Sequence, residues 1–189
     1  RLVWRYDPVL VYGPYTTAWH LDAFGRYCRL FSGATDTGVF SFVDLYAKTR
    51  RAMPRLRPVT AADMDRLAAG FALRAQDAGI RLHTCCEEGD FARFGIGQAA
   101  CVDPERIGEI AGRPVNASRD PGQRPGCGCA RSVDIGAYGT CSHGCAYCYA
   151  AGPAFSAEHR PDSPLLEGTV GPDDRVPPDP GRQTTLWSL

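Results

Sequence analysis

Between Leu2 and Gly112 short apolar runs alternate with longer stretches whose apolar residues recur at helical spacing. That alternation limits the fold more than any other feature of the chain. Leu2 to Tyr6 reads as a strand closed by the turn-prone pair Asp7-Pro8. Thr16 or Thr17 caps a helix to about Phe31, with Trp19, Ala23, Tyr27 and Leu30 on its apolar face and Gly33 past its end. Val39 to Leu45 is a second strand, followed by a basic connection from Lys48 to Arg57. Thr60 opens the clearest helix, with Thr60-x-x-Asp63 as a near capping box. Met64, Leu67, Ala68, Phe71 and Ala75 form its apolar face, and Gly79 sits where a C-cap belongs. Ile80 to Cys85 is a third strand. Asp103-Pro104 starts a short helix that carries Ile107 and Ile110 and stops at Gly112. Strand and helix in strict alternation predict parallel strands with crossover helices, an α/β fold.

After Gly112 the pattern stops. Glycine, proline and polar residues dominate from Arg113, and repeated proline and aspartate from about Glu167 predict a disordered end. The chain therefore divides into residues 1–112, a cysteine-rich segment 113–166 and a tail 167–189. Lys plus Arg and Asp plus Glu both number 21, so no net field draws it to nucleic acid or to a membrane surface. No apolar run is long enough to cross a bilayer. Nine cysteines, odd in number and clustered, do not match a secreted disulfide framework, which predicts a reducing cytoplasm.

The chemistry sits in CGCARSVDIGAYGTCSHGCAYCYA, Cys127 to Ala150. Its last three cysteines, Cys141, Cys145 and Cys148, are spaced C-x3-C-x2-C. Three thiolates on one loop can each reach a different iron of a cubane cluster and leave the fourth iron open to an outside molecule. Gly144 supplies backbone freedom, and Tyr147 can shield the inorganic core from water. Zinc is the other reading. Cys145–Cys148 forms a C-x2-C knuckle, Cys127–Cys129 a tighter C-x-C, and His143 can add a ligand. Arg131 and Asp134 are expected to fold this loop onto the strands.

CSHGCAYC resembles the cluster-binding motif of radical S-adenosylmethionine enzymes, and TCSHGCAYCYA is similar to the form found in spore photoproduct lyase. VWRYDP, SFVDLYAKT, RLHTCCEE and the cysteine-rich string together resemble the bacterial domain-of-unknown-function family 1848, over about Arg1 to Leu166. That family is described as carrying a radical-SAM-like cysteine cluster at its C-terminal end. The resemblance implies a 4Fe–4S cluster on Cys141, Cys145 and Cys148, with Tyr147 beside it and S-adenosylmethionine on the open iron. It implies that the strand–helix units are the last ones of a TIM-barrel-like fold, and that the chain is the C-terminal portion of a longer protein. In such barrels chemistry sits at the C-terminal ends of strands. Arg5, Asp7, Asp44 and Glu87 are then candidates to position cofactor or substrate, with Cys85 and Glu88 nearby. Singly, each is an ordinary solvated turn residue.

Cys85, Cys101, Cys127 and Cys129 correspond to cysteine positions of the same family, whereas Cys28 and Cys86 do not. Four thiolates suit an auxiliary cluster or a structural zinc; separate buried thiols are the ordinary alternative, and that suits Cys28. The motif departs from the radical enzymes by following the last strand, and no glycine-rich strand matches their S-adenosylmethionine contacts. Three functions remain. One is a radical S-adenosylmethionine-type enzyme fed by a reductase or ferredoxin. The second is an iron–sulfur electron-transfer or binding protein, and the third a zinc-stapled structural domain.

Overall fold

Four strands, β1 (Trp4–Val9), β2 (Thr37–Phe42), β3 (Arg81–Thr84) and β4 (Gly97–Gln98), form one sheet in the order β1-β2-β3-β4. Every neighbouring pair is parallel. The computed structural model describes residues 1–133, 136, 138–148, 150, 162–163, 165 and 168–175. They fall into two units, Arg1–Ile135 with Cys145–Tyr149, and Gly136–Gly144 with Ala150–Leu189. The sheet and every helix below belong to the first. Asp134 and residues 176–189 of the expected disordered tail lie outside the described residues.

The α/β expectation holds at the level of a parallel sheet, and the sheet is open, with β1 and β4 at its edges. The elements differ from the sequence pattern in several details, and β2 ends at Phe42, which leaves Asp44 beyond it. The first strand does not close at Asp7-Pro8. It runs through that cis peptide to Val9, with a slip in register between Tyr6 and Val9. The basic connection contains a helix, α2 (Ala47–Ala52). A two-residue strand, β4, joins the third strand through the pairs His83↔Gly97 and Thr84↔Gln98. Gly97 permits that pairing, since a Cβ there would lie 2.8 Å from the His83 ring.

The long helices end where local chemistry says they should. In α1 (Thr17–Phe31) the Thr16 hydroxyl accepts from the Trp19 N–H at 3.1 Å. In α3 (Ala61–Asp77) the Thr60 hydroxyl accepts from the Asp63 N–H at 3.2 Å and donates to the Asp63 carboxylate at 2.8 Å. Asp103 caps α4 (Pro104–Ala111) through the N–H groups of Glu105 and Arg106, and Gly112 closes it at φ +66°.

Helices α1 and α3 pack on each other and on one face of the sheet. The apolar face of α3 is the predicted one: Leu67, Ala68, Phe71 and Ala75 are buried, and Met64 packs against them. The face of α1 is turned from the predicted one. His20, Ala23, Phe24 and Cys28 are inside, while Trp19, Tyr27 and Leu30 are substantially exposed. The turn follows from His20, whose two ring nitrogens both find partners within the fold. Its Nε2 lies 2.8 Å from the Leu10 carbonyl, which can only accept, so Nε2 carries the hydrogen. Nδ1 therefore accepts from the Tyr6 hydroxyl at 2.8 Å.

Burial holds the His20 pKa below its ordinary value, with the Leu10 hydrogen bond offsetting part of the shift. The unfolded chain then binds a proton that the folded chain refuses, so this residue's contribution to stability is lost as pH falls through the ordinary histidine range. The thermal midpoint of the wild type should drop between about pH 7.5 and 5 by more than that of His20→Gln. Equal slopes would remove the histidine from the account. A second test concerns Thr49, 1% exposed on α2, whose Oγ1 has no hydrogen-bond partner among the described residues. Thr49→Val keeps the shape and removes the stranded hydroxyl, so chemical denaturation should show a gain of about 1 kcal/mol. A loss of that size would show that the hydroxyl has a partner after all.

Among the described residues no helix is long and apolar enough to cross a membrane.

Candidate functional site

A parallel sheet puts the C-terminal ends of all its strands on one side, and the sequence-predicted residues gather toward that side. Along β1 the side chains alternate. Trp4 and Tyr6 enter the aromatic cluster with Phe24, and Arg5 and Asp7 take the opposite face. Asp7 lies within β1, not in a turn beyond it as the sequence pattern implied, and Arg5 is the second residue of the strand. Arg5 grips Asp7 with Nη2 at 2.5 Å, and the Ser41 hydroxyl of β2 donates to the other Asp7 oxygen. Arg5 Nη1 reaches Cys101 Sγ at 3.2 Å, and Cys101 Sγ lies 3.4 Å from Cys85 Sγ. Burial works against the Arg5 charge, but its bonds to Asp7 and Cys85 and the nearby Cys101 outweigh this and raise its pKa.

Cys85 and Cys101 are hydrogen-bonded through their sulfurs, and either can donate. The contact with Cys101, together with Arg5, lowers the Cys85 pKa against the effect of burial, and the same contact raises that of Cys101. Cys85 follows β3 directly, fixed by its N–H to the Phe40 carbonyl at 3.0 Å. Cys86 then turns the chain at φ +54°, a left-handed conformation uncommon outside glycine, and its sulfur points to the Pro125 carbonyl instead.

Cys129 joins this group from the later loop. Its sulfur accepts the Cys101 N–H at 3.0 Å, and the next residue, Ala130, donates to the Val102 carbonyl at 2.9 Å. Burial opposes a thiolate at Cys129, but backbone N–H groups and the Cys127 and Cys101 side chains outweigh it and lower the pKa. Residues 118–131 are held by Arg131 N–H to the Ser118 carbonyl at 2.9 Å and by the bridge Arg119↔Ala130. Cys28 is apart from all this, buried in α1, with its thiol pushed up to about 11 by burial. It is a small core side chain.

Two acids complete the mouth. Glu87 Oε1 accepts the N–H of Phe42, the last residue of β2, at 2.8 Å. Burial pushes its carboxyl up to about 7, the Asp44 charge adds to that, and the Phe42 bond pulls the other way. Asp44 pairs with Arg124 at 2.8 Å, both about half exposed, so the pair contributes little to stability. Arg124 and Ser41 carry no sequence signal, since one lies in a glycine- and proline-rich loop and the other is a plain strand residue.

Of the C-x3-C-x2-C motif, Cys145 and Cys148 belong to the first unit, where the Cys148 N–H bonds to the Cys145 carbonyl at 3.0 Å. Tyr147, between them, has its pKa raised by partial burial and then by Cys145, with a smaller effect from Asp7. Cys141, His143 and Gly144 belong to the second unit; Gly144 adopts φ +63°, and all three residues are exposed. Among the described residues no group of three or more His, Cys, Asp or Glu side chains is arranged to hold a metal ion. The donors themselves are soft thiols, all nine of them free, and chemically they suit iron–sulfur clusters or zinc.

The family model described as Domain of unknown function (DUF1848) matches residues 1–150, which takes in the sheet and every cysteine. No curated protein and no solved structure matches the chain.

Proposed function

The chain belongs to the family of the domain of unknown function DUF1848, and we propose that it is an iron–sulfur protein that works as a radical S-adenosylmethionine-type enzyme. Cys141, Cys145 and Cys148 hold a 4Fe–4S cluster in this reading. The spacing C-x3-C-x2-C carries it, supported by the left-handed Gly144 within the loop and the tight turn from Cys145 to Cys148. Such a cluster supplies one electron and an open iron for the amino and carboxylate groups of S-adenosylmethionine. Tyr147 limits the access of water to the loop. Arg5, fixed by Asp7, directs its cation to Cys101, which follows the last strand. Glu87, with a pKa of about 7, can hold or release a proton near neutrality. Asp44 orients Arg124 across the same side.

Four parallel strands in chain order are what consecutive units of a TIM-barrel-like fold would present, which fits the position of these residues near the strand ends. Nine free thiols fit a reducing cytoplasm, where a reductase or ferredoxin would donate the electron. The test is metal content. The chain purified without oxygen should carry about four irons with matching sulfide, and Cys145→Ala should lose them. Zinc at Cys141, Cys145 and Cys148 in place of iron would overturn the reading and leave a structural staple.

A further inference from the structure

We propose that Cys85, Cys101, Cys127 and Cys129 form a second, closed metal site that takes one thiophilic divalent cation, zinc. It would staple the end of the sheet to the loop of residues 118–131. The inference concerns other residues than Cys141, Cys145 and Cys148, and it stands whether or not those hold a cluster.

The sulfurs run as a string within the first unit. Cys85 and Cys101 touch at 3.4 Å, the Cys101 N–H bonds to Cys129 Sγ at 3.0 Å, Cys127 precedes Cys129 by two residues and helps lower its pKa, and Cys86 is turned out of the group toward Pro125. These cysteines come from three separate segments, so their meeting reflects tertiary structure and not sequence proximity alone. The surrounding backbone is shaped for it. Cys86 holds a left-handed φ of +54°, the Cys101 N–H points at Cys129 Sγ from 3.0 Å, and Ala130 is tied to Val102 at 2.9 Å. A backbone N–H donated to sulfur is the kind of outer contact that orients a thiolate ligand. Arg5, 3.2 Å from Cys101 Sγ, offsets the excess negative charge of four thiolates around a dication.

Spacing favours one ion over a cluster. Sulfurs bonded to zinc at about 2.3 Å stand about 3.8 Å apart along a tetrahedral edge, and the 3.4 Å contact of Cys85 with Cys101 is close to that. Cysteines on a cubane bind different irons and are kept out of mutual contact by the inorganic core. The string does not surround one point. Binding therefore asks the outer thiols, Cys85 and Cys127, to swing toward each other about χ1. With four protein ligands no position is left for substrate, so the role is structural.

The experiment uses the full chain carrying Cys145→Ala, which removes the proposed cluster site from the measurement. Zinc and iron are quantified after purification under reducing conditions, and iodoacetamide labelling of each cysteine is read by mass spectrometry with and without a chelator. About one zinc per chain is expected, with Cys85, Cys101, Cys127 and Cys129 protected until the chelator is added and Cys86 labelled throughout. Adding Cys101→Ser should cut bound zinc about tenfold or more, and adding Cys86→Ser should leave it unchanged. Absence of zinc, iron in its place, zinc that survives Cys101→Ser, or labelling indifferent to the chelator would each overturn the site. So would a Cys85–Cys101 disulfide recovered from the reduced preparation. The labelling arm needs no substitution at the four cysteines, so it remains decisive should Cys101→Ser fail to fold.

Discussion

Phe71→Ala should cost about 3–5 kcal/mol of folding stability, the largest loss expected from a single truncation in this chain. Phe71 is fully buried at the centre of α3. It stacks on Phe24 of α1 at 4.1 Å and meets the edges of Tyr6 at 5.6 Å and Phe40 at 5.4 Å, so one ring joins both helices to β1 and β2. Alanine would remove the transfer term of the ring and leave a cavity walled by three other rings, which cannot collapse without moving a helix. Stability of a domain this size is about 5–15 kcal/mol in total, so a large part of it goes. Leu73→Ala is the control. It lies two positions along the same helix, 63% exposed, and should change stability by less than about 0.5 kcal/mol. Urea midpoints with unchanged m values measure both. Similar losses for the two would mean that the face of α3 has been misassigned.

That face was legible because its period is unmixed: Met64, Leu67, Ala68, Phe71 and Ala75 recur at helical spacing, and capping residues bound them on both sides. The face of α1 was not. Trp19, Tyr27 and Leu30 are apolar and correctly spaced, but the stripe one position round, His20 to Cys28, contains a histidine that counts as polar until Tyr6 and Leu10 satisfy it. Hydropathy alone cannot see a partner ten or more residues away. Strand β4 was invisible for a different reason. Two residues, one a glycine, give no period to read, and the pairing exists because β3 offers an open edge. The end of β1 was misread because Asp7-Pro8 is a turn signal locally, while β2 continues the ladder beyond it.

The site was legible by type and not by arrangement. Sequence named Arg5, Asp7, Asp44 and Glu87 as polar groups near strand ends, and pairing them with Ser41, Cys101 and Arg124 needed the tertiary structure. Glu87 shows why. Its displaced pKa comes first from burial, and the Phe42 N–H, Asp44 and Arg124 that adjust it lie some distance along the chain. Likewise Cys85 and Cys129 look unrelated in sequence until Cys101 lies between them.

Given dithionite as electron donor, the iron-loaded chain should release methionine from S-adenosylmethionine, and Cys148→Ser should lower that rate by about a hundredfold or more, to background. The size follows from ligand count. Three cysteines are the fewest that can hold a cubane while leaving one iron open, so no spare ligand remains in C-x3-C-x2-C to replace Cys148. Serine is nearly isosteric but offers a hard oxygen where iron–sulfur clusters take soft thiolate. Tyr147→Leu should leave iron content near wild type and speed loss of the cluster in air, if the ring shields the cluster without ligating it as proposed. Methionine formation then separates the two iron–sulfur functions. Iron retained with no methionine from the wild type leaves an electron-transfer or binding protein. Methionine lost in Cys148→Ser while urea midpoints of the sheet stay unchanged assigns the loop to chemistry, because the core around Phe71 does not depend on it.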